Sequence, residues 1–432
     1  MRKSFEVLYV PLVILALVLR IALVWIPGSS VRTPWSGGGD MDAYVLLAHN
    51  LVSGNGYTYA HFPTAFRAPG YPLFLAAVLK VFGVHFVPVI RFLQGIAGVA
   101  AAYFCKRASR ILFDGTAERL TFLAALLFPT LVYFSGEILT EGLTSFFFAL
   151  FLWTLAEDSA QPSWKSAAAM GFTVGLGVLV RANLAVLGIP ALFSAWNVRC
   201  AGQAKRQLLV IPLFAGLIVA PWVLRNWFTF GKPLLSTESG AATVQSLVNP
   251  EARLVDGWDK PLRQKMGYVV PTDLETNGPD RKKIGSEIEM DRQSWQASRE
   301  FWNEMSWATR LHWIGLKWVT YWLSIDQLLH PGNVSRLNRL LHVGAVFYYW
   351  ILLIAACFGL SRLGKARPHL ALAILGYVLL ITVLHTPFVM NSRIRAPLVD
   401  PLISLLAGGG LGLFWAPKHD GTINRPHPEA SR

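Results

Sequence analysis

Charge is scarce in this chain. Only 15% of its 432 residues are Asp, Glu, Lys or Arg, against 53% hydrophobic ones, and the mean hydropathy is +0.43. Such an apolar composition, broken into repeated runs near membrane length, excludes a soluble domain of this size and implies a polytopic membrane protein. Cysteine is equally sparse. Cys105, Cys200 and Cys357 fall at or near the ends of hydrophobic runs, and no disulfide framework is implied. There is no Cys-x-x-Cys pair, no compact ligand spacing among the 10 histidines and no Gly-x-x-x-x-Gly-Lys loop, so neither a zinc site nor ATP is indicated. Internal repeats and low-complexity tracts are also missing, and with them the visible inverted-repeat signature of many secondary transporters.

What charge there is has a sign and a place. The balance is +14, but the basic residues sit in short clusters between hydrophobic runs with no nucleic-acid module beside them, so nucleic acid is not an expected partner. Arg2 and Lys3 precede the run Val7 to Ile26, which lacks an Ala-x-Ala cleavage site and reads as a retained first span with a cytoplasmic N-terminus. Further spans are expected at Phe86–Phe104, Leu120–Ser135, Glu141–Ala156, Ser166–Val180, Leu184–Asn197, Leu208–Leu224, Leu341–Leu360, Leu370–His385 and Pro397–Trp415, giving about ten helices. Threading them alternately places Lys106, Arg107, Arg110 and Arg119, then Arg199, Lys205 and Arg206, then Arg362, Lys365 and Arg367, and finally Lys418, all inside. The C-terminus is then cytoplasmic too.

The resulting organisation is a transmembrane module at 1–224 that includes a first outer loop at 27–85, a second outer loop at 225–340, C-terminal helices at 341–416 and a tail at 417–432. Pro250, Pro261, Pro271 and Pro279 make the first half of the second loop irregular. From Ile284 to Ile325 it reads as helix, with Trp295, Trp302, Trp307, Trp313, Trp318 and Trp322 suited to the outer headgroup level. Leu311–Leu329 is long enough to span if tilted. Spanning would put Arg362, Lys365 and Arg367 outside, so a surface-lying or re-entrant helix is expected.

Carboxylates and arginines are costly at a membrane edge and concentrate where a polar substrate is handled. The outer segments hold Gly39-Asp40-Met41-Asp42-Ala43-Tyr44 and Arg67-Ala68-Pro69-Gly70-Tyr71-Pro72-Leu73-Phe74. Further along come Ser135-Gly136-Glu137-Ile138-Leu139-Thr140-Glu141, Leu179-Val180-Arg181, Pro221-Trp222-Val223-Leu224-Arg225-Asn226 and Arg393-Ile394-Arg395-Ala396-Pro397. In this order and spacing the pieces resemble a bacterial member of glycosyltransferase family 39, the polyprenyl-phosphate-sugar-dependent group related to protein O-mannosyltransferases and lipid A aminoarabinose transferases. The one departure is Ala182, where a proline usually follows the arginine.

The resemblance implies an all-helical GT-C fold and an inverting transfer of sugar from undecaprenyl phosphate to a hydroxyl on a glycan, lipid or protein, at the outer face of a bacterial cytoplasmic membrane. That chemistry needs a base for the acceptor proton and cations for the departing phosphate. It needs no strong general acid, because phosphate leaves as a stable anion. Asp40 lies four residues before Tyr44, which puts both on one helix face, and matches the loop aspartate to which the family assigns the base role. Asp42 points elsewhere and is expected to contact the acceptor or start the helix. The alternative for both is capping after the Ser36-Gly37-Gly38-Gly39 turn. Asp-x-Asp can also hold a divalent metal, as in related oligosaccharyltransferases, but polyprenyl-monophosphate users are not expected to need one and no cofactor is implied.

Arg67, held by the rigid Pro-Gly-Tyr-Pro turn, suits the lipid phosphate; a snorkelling arginine is the competing reading. Arg181, Arg225, Arg393 and Arg395 fall at outer ends where the charge rule disfavours them, which a shared phosphate site would explain, although Arg225 can simply bind the last carbonyls of its own helix. Tyr44, Tyr71, Glu137 and Glu141 are the expected contacts to sugar or acceptor. Glu137 and Glu141 share a face if their helix begins early, and Glu141 is also placed to orient Arg67 or Arg181. Gly171, Gly175 and Gly177 are expected to allow close helix packing. A transporter or flippase for a polyprenyl-linked or other anionic lipid is the rival function, and a scaffold that has lost the reaction is a third.

Overall fold

The computed structural model describes residues 10–18, 40–59, 62–196, 201–237, 286–323, 336–388 and 392–415. Within these, the expected helical architecture is present. Part of the first expected span, residues 10–18, is helical. There follow α1 (Asp40–Val52), a two-residue antiparallel pair β1 (Thr58–Tyr59) and β2 (Phe62–Pro63), α2 (Gly70–Phe82), α3 (Phe86–Leu112), α4 (Gly115–Leu126), α5 (Pro129–Gly136), α6 (Glu141–Ala160), α7 (Trp164–Val180), α8 (Gly188–Trp196) and α9 (Ala201–Phe230). The second half holds α10 (Ser286–Glu304), α11 (Trp307–Leu323), α12 (Arg336–Ala366), α13 (Pro368–His385) and α14 (Ser392–Trp415). The Pro-rich stretch with Pro250, Pro261, Pro271 and Pro279, the Ser36–Gly39 turn, Cys200 and the tail lie outside the described residues.

Among the described residues, five helical segments are long and apolar enough to cross a membrane, or six if the bent pair α4 and α5 counts as one. The chain is thus a multi-pass membrane protein, and among the described residues several of the expected spans take other forms than one straight helix. Leu120–Ser135 is broken by 45° between α4 and α5, where Pro129 opens a new helix. Leu184–Asn197 is a 3-10 turn (Ala182–Leu187) followed by the nine-residue α8. α7, with 17 residues, is among the shorter apolar helices. Part of the expected first outer loop is instead apolar helix, since α2 and α3 run on through a 3-10 turn as one segment from Gly70 to Leu112.

α14 is the central post. Most of its length is buried, against α12, α4, α6, α3 and α5. α7 packs on α9 through Gly171 and Gly175, where an added Cβ would lie 2.5 Å from the Ile211 carbonyl oxygen and 2.9 Å from that of Ala215, so these glycines do serve close packing. Polar side chains then divide between the two ends. At one end Arg362 donates to Asp114 (2.7 Å), Lys106 pairs with Glu118 (3.6 Å), and Arg367 donates to Ser159 (2.9 Å) and to the Ile111 carbonyl (3.2 Å). Asp158 accepts from Ser166 and Gln207 there. Lys106, Arg362 and Arg367, from two of the expected basic clusters, therefore gather at this end, with Glu141 at the other end of α6. Seventeen residues of helix, about 25 Å, separate Glu141 from Asp158.

The Trp-rich segment is not one helix but two, broken at Met305–Ser306, and α11 is not among the spanning segments. α11 is fixed by Lys317, which donates to the carbonyls of Thr386 (2.6 Å) and Phe388 (2.8 Å), and by Trp318, which donates to the Thr386 hydroxyl (3.0 Å). Cys105 and Cys357 are free thiols.

Candidate functional site

At the Glu141 end, five side chains from five separate segments form a chain of alternating charge. Arg67 pairs with one oxygen of Asp40; the other oxygen accepts from Arg393 Nη2 at 2.6 Å. Arg393 Nε donates to Glu141 Oε1 at 2.6 Å, and the same oxygen lies 3.4 Å from Arg181 Nη1. Three guanidiniums thus face two carboxylates, leaving one net positive charge. Glu141 has no exposed side-chain surface, Arg67 and Arg181 have 14% and 17%, and Asp40 is the most open at 32%. Burial would raise the Asp40 carboxyl, but the charges of Arg67 and Arg393 outweigh it and hold the group below the usual aspartate range.

Local sequence explains why these residues meet. Asp40 opens α1, and Tyr44, one turn on, brings its ring to 5.2 Å from the Arg67 guanidinium, so the expected shared face exists. The Arg67 loop is held from three sides. Tyr57 donates to the Arg67 carbonyl (2.9 Å), Arg225 donates to the carbonyls of Thr64 (2.7 Å) and Tyr57 (3.1 Å), and Glu287 of α10 accepts from Thr64 Oγ1 (2.7 Å) and the Ala65 amide (2.6 Å). Gly70 then lets the start of α2 press on the end of α7: a Cβ there would sit 2.7 Å from the Leu179 carbonyl oxygen. That contact brings the backbone segments that carry Arg67 and Arg181 side by side. Arg393 comes from the first turn of α14 and Glu141 from the first turn of α6.

Of the residues singled out from sequence, Asp40, Arg67, Glu141, Arg181 and Arg393 are brought together, with Tyr44 beneath them. Glu141 orients Arg181 and Arg393; Arg67 is held by Asp40 instead. Asp42 is partly exposed, and Asp40 is the aspartate that joins Arg67 and Arg393.

Arg395 needs correction as a phosphate ligand. It is the fourth residue of α14 and fully buried, donates to Asp400 Oδ1 (3.1 Å) and the Tyr321 carbonyl (2.9 Å), and lies over the Tyr349 ring, while Asp400 also accepts from Thr130. It ties α11 to α14. Tyr71 and Glu137 are likewise behind the site. The Tyr71 hydroxyl donates to Gln94 (2.8 Å), Gln94 donates to the carbonyls of Ser135 (3.1 Å) and Glu137 (2.6 Å), and Glu137 sits in extended backbone after α5 rather than on the α6 face with Glu141. Arg225 binds carbonyls of the first loop, not those of its own helix.

Sequence reasoning passed over Gln94, Glu287 and Asp400. A polar residue in an apolar run was the available signal for Gln94 and Asp400. Nothing local marks Glu287. Among the described residues no group of three or more His, Cys, Asp or Glu side chains converges as a metal cage.

Residues 66–225 match the family model described as dolichyl-phosphate-mannose-protein mannosyltransferase. That range holds Arg67, Glu141 and Arg181 but stops short of Asp40 and Arg393. No curated protein matches the chain significantly. Among solved structures, an oligosaccharyltransferase from Archaeoglobus fulgidus, tethered with an acceptor peptide, is similar at 16% identity and TM-score 0.55, covering 95% of this chain and 50% of the other. The Archaeoglobus fulgidus oligosaccharyltransferase AglB in complex with an inhibitory peptide and a dolichol-phosphate aligns at 16% identity and TM-score 0.53, covering 94% and 50%. ArnT from Cupriavidus metallidurans in the apo state shares 14% identity over 95% of this chain and 78% of that one, but at TM-score 0.44 the overlap is too loose to equate single helices. The chain spans about half the length of the archaeal protein, and at these identities the likeness is one of fold. The fold is therefore that of the GT-C membrane glycosyltransferases, and residues 66–225 carry the sequence pattern of the dolichyl-phosphate-mannose-protein mannosyltransferase family.

Proposed function

We propose that this protein is an inverting glycosyltransferase that moves a sugar from a polyprenyl phosphate, undecaprenyl phosphate in a bacterium, to a hydroxyl of a glycan, lipid or protein. The observation that carries the reading is the doubly ion-paired Asp40, a carboxylate gripped by guanidiniums 27 and 353 residues away. An acid and clustered arginines are the groups that the transfer requires, and the family match over residues 66–225 and the GT-C fold support the same class.

In this reading the donor phosphodiester, with one negative charge, is drawn to the net positive site and takes hydrogen bonds from Arg67, Arg393 and Arg181. Each guanidinium that turns to phosphate loosens its hold on Asp40, whose basicity rises as the donor binds. Asp40 then accepts the proton of the acceptor hydroxyl while that oxygen bonds to the anomeric carbon. The bond from the anomeric carbon to the phosphate oxygen breaks, and the second negative charge on the leaving phosphate rests on the arginines. Attack opposite the leaving group inverts the anomeric centre. The site faces the outer side of the cytoplasmic membrane, with both termini inside.

The test is turnover of purified protein with a panel of undecaprenyl-phosphate sugars and membrane extract. Asp40→Asn should bind donor but lose about 100-fold or more in kcat. Arg67→Ala should weaken donor binding. Unaltered turnover in both variants would remove the assignment, and donor scrambling in proteoliposomes without glycosylated product would favour a transporter.

A further inference from the structure

Beyond the ion-pair chain, on the side of Arg181, lies a group of buried polar atoms with no hydrogen-bond partner among the described residues. Tyr321 of α11 has no exposed surface. Its ring stacks on His385 (centroids 6.0 Å, planes 23° apart) and meets Trp322 edge-on, and its carbonyl is held by Arg395, yet its hydroxyl has no hydrogen-bond partner among the described residues. Asn183, two residues after Arg181, contacts His385 Nε2 through its amide nitrogen at 3.2 Å, while its buried Oδ1 has no partner. Arg181 Nη1 is the third such atom: its 3.4 Å approach to Glu141 lacks hydrogen-bond geometry.

The tautomer of His385 fixes what each atom offers. His385 Nδ1 lies 2.7 Å from the Ile381 carbonyl, which can only accept, so Nδ1 carries the proton and donates. Nε2 must then accept from the Asn183 amide, which turns Asn183 Oδ1 away as a free acceptor. The vacant positions are thus one acceptor on Asn183, one donor on Arg181, and a Tyr321 hydroxyl able to do either. Arg181 is near enough to act electrostatically on both Tyr321 and His385. A phenol buried without a partner is destabilising relative to phenylalanine. A ligand that supplies the missing bonds accounts for it.

We propose that Asn183, Tyr321 and Arg181 read the hydroxyl groups of the donor sugar, with His385 positioning Asn183 and Tyr321. The proposal rests on the glycosyl-transfer reading and extends it from the phosphate to the sugar. Sugar hydroxyls donate and accept at once, as this mixed set demands, whereas a phosphate has no proton for Asn183 Oδ1. The charged groups beside these atoms are Arg181, which faces Glu141, and Arg395, which is paired with Asp400, and the ion-pair chain as a whole keeps one net positive charge, so the sugar is a neutral, hydroxyl-bearing one rather than a cationic amino sugar.

The experiment measures binding of bare undecaprenyl phosphate and of its mannosyl, glucosyl, galactosyl and 4-amino-4-deoxyarabinosyl forms to the full-length protein in nanodiscs. Wild type should bind one neutral glycosyl form more tightly than the bare lipid. Tyr321→Phe and Asn183→Ala should each weaken that form about 10-fold while changing the bare lipid by less than about twofold. Without lipid, Tyr321→Phe should melt at or above the wild-type temperature. Equal losses for bare and glycosylated lipid, no loss for either, or preference for the amino sugar would overturn the subsite. Wild-type failure to bind bare undecaprenyl phosphate would sink the glycosyl-transfer reading itself.

Discussion

Glu141 is the place where the ion-pair chain can be weakened without touching either the proposed base or a proposed phosphate ligand. It is wholly buried and serves two guanidiniums through one oxygen, at 2.6 Å to Arg393 and 3.4 Å to Arg181. Glu141→Gln keeps the shape and one acceptor for Arg393 Nε but removes the charge, so the network rises from one net positive charge to two. Breaking one side of a buried, hydrogen-bonded charge pair costs about 3–5 kcal/mol. Spread over 432 residues at about 2.1 cal/mol/K each, the unfolding entropy is roughly 0.9 kcal/mol/K, so the expected fall in melting temperature is about 3–6 °C. The functional loss should be larger in proportion. Arg181 and Arg393 lose the group that aims them, and a misplacement near 1 Å can cost about 100-fold in kcat. Donor affinity should hold or rise, because the site gains positive charge. Scanning fluorimetry at a fixed rate, donor binding and turnover in nanodiscs separate these effects, with Glu141→Asp expected to recover stability in part because it restores the charge. Wild-type melting and wild-type kcat in Glu141→Gln would refute the claim that this carboxylate organises the site.

Three further outcomes follow from the geometry. Gly70→Ala places a Cβ 2.7 Å from one backbone atom and 2.9 Å from another of α7, contacts that no rotamer relieves, so Arg67 must shift away from Arg181 and kcat/KM should fall at least about 10-fold; Gly216→Ala, where nothing lies within 4 Å, is the control and should leave it unchanged. For Asp40, the depressed carboxyl predicts no acidic limb in kcat/KM above about pH 4, since that ratio reports the free enzyme, while the acidic limb of kcat should move upward as donor draws the arginines away. Asp114, at the opposite end, caps α4 through the amides of Thr116 and Ala117 and accepts from Arg362. Burial raises its carboxyl, but these bonds outweigh that and lower it. The stability it adds is therefore complete above the unfolded value of about 3.9 and is lost as pH falls toward the folded one, so the melting difference between wild type and Asp114→Asn should be constant from about pH 5 to 8 and shrink below about pH 4.

The residues legible in the sequence were those whose position broke a rule. Arg181 and Arg393 stood out because basic residues are disfavoured at that end of a span, and Asp40 with Tyr44 because their spacing fixes a common helix face; all join the site or lie directly under it. Arg395 broke the same rule and misled, because one-dimensional spacing does not say which way a side chain turns inside α14, and here Asp400 five residues on satisfies it internally. The break inside one expected span was passed over as well. Hydrophobicity marks Leu120–Ser135 as one run, whereas Pro129 opens a new helix and the two halves meet at 45°. Gln94, Glu287 and Tyr321 act through partners from 23 to more than 200 residues away, and no local pattern announces a contact of that kind.

The central claim is that the arginines around Asp40 hold the lipid phosphate. A cryo-EM structure of the full-length protein in nanodiscs with undecaprenyl phosphate tests it most directly. Phosphate density within about 3 Å of at least two of Arg67, Arg181 and Arg393, with Asp40 released from one of its guanidiniums, is the expected result. Phosphate at the opposite end beside Arg362 and Arg367, with the five-residue chain undisturbed, would contradict it.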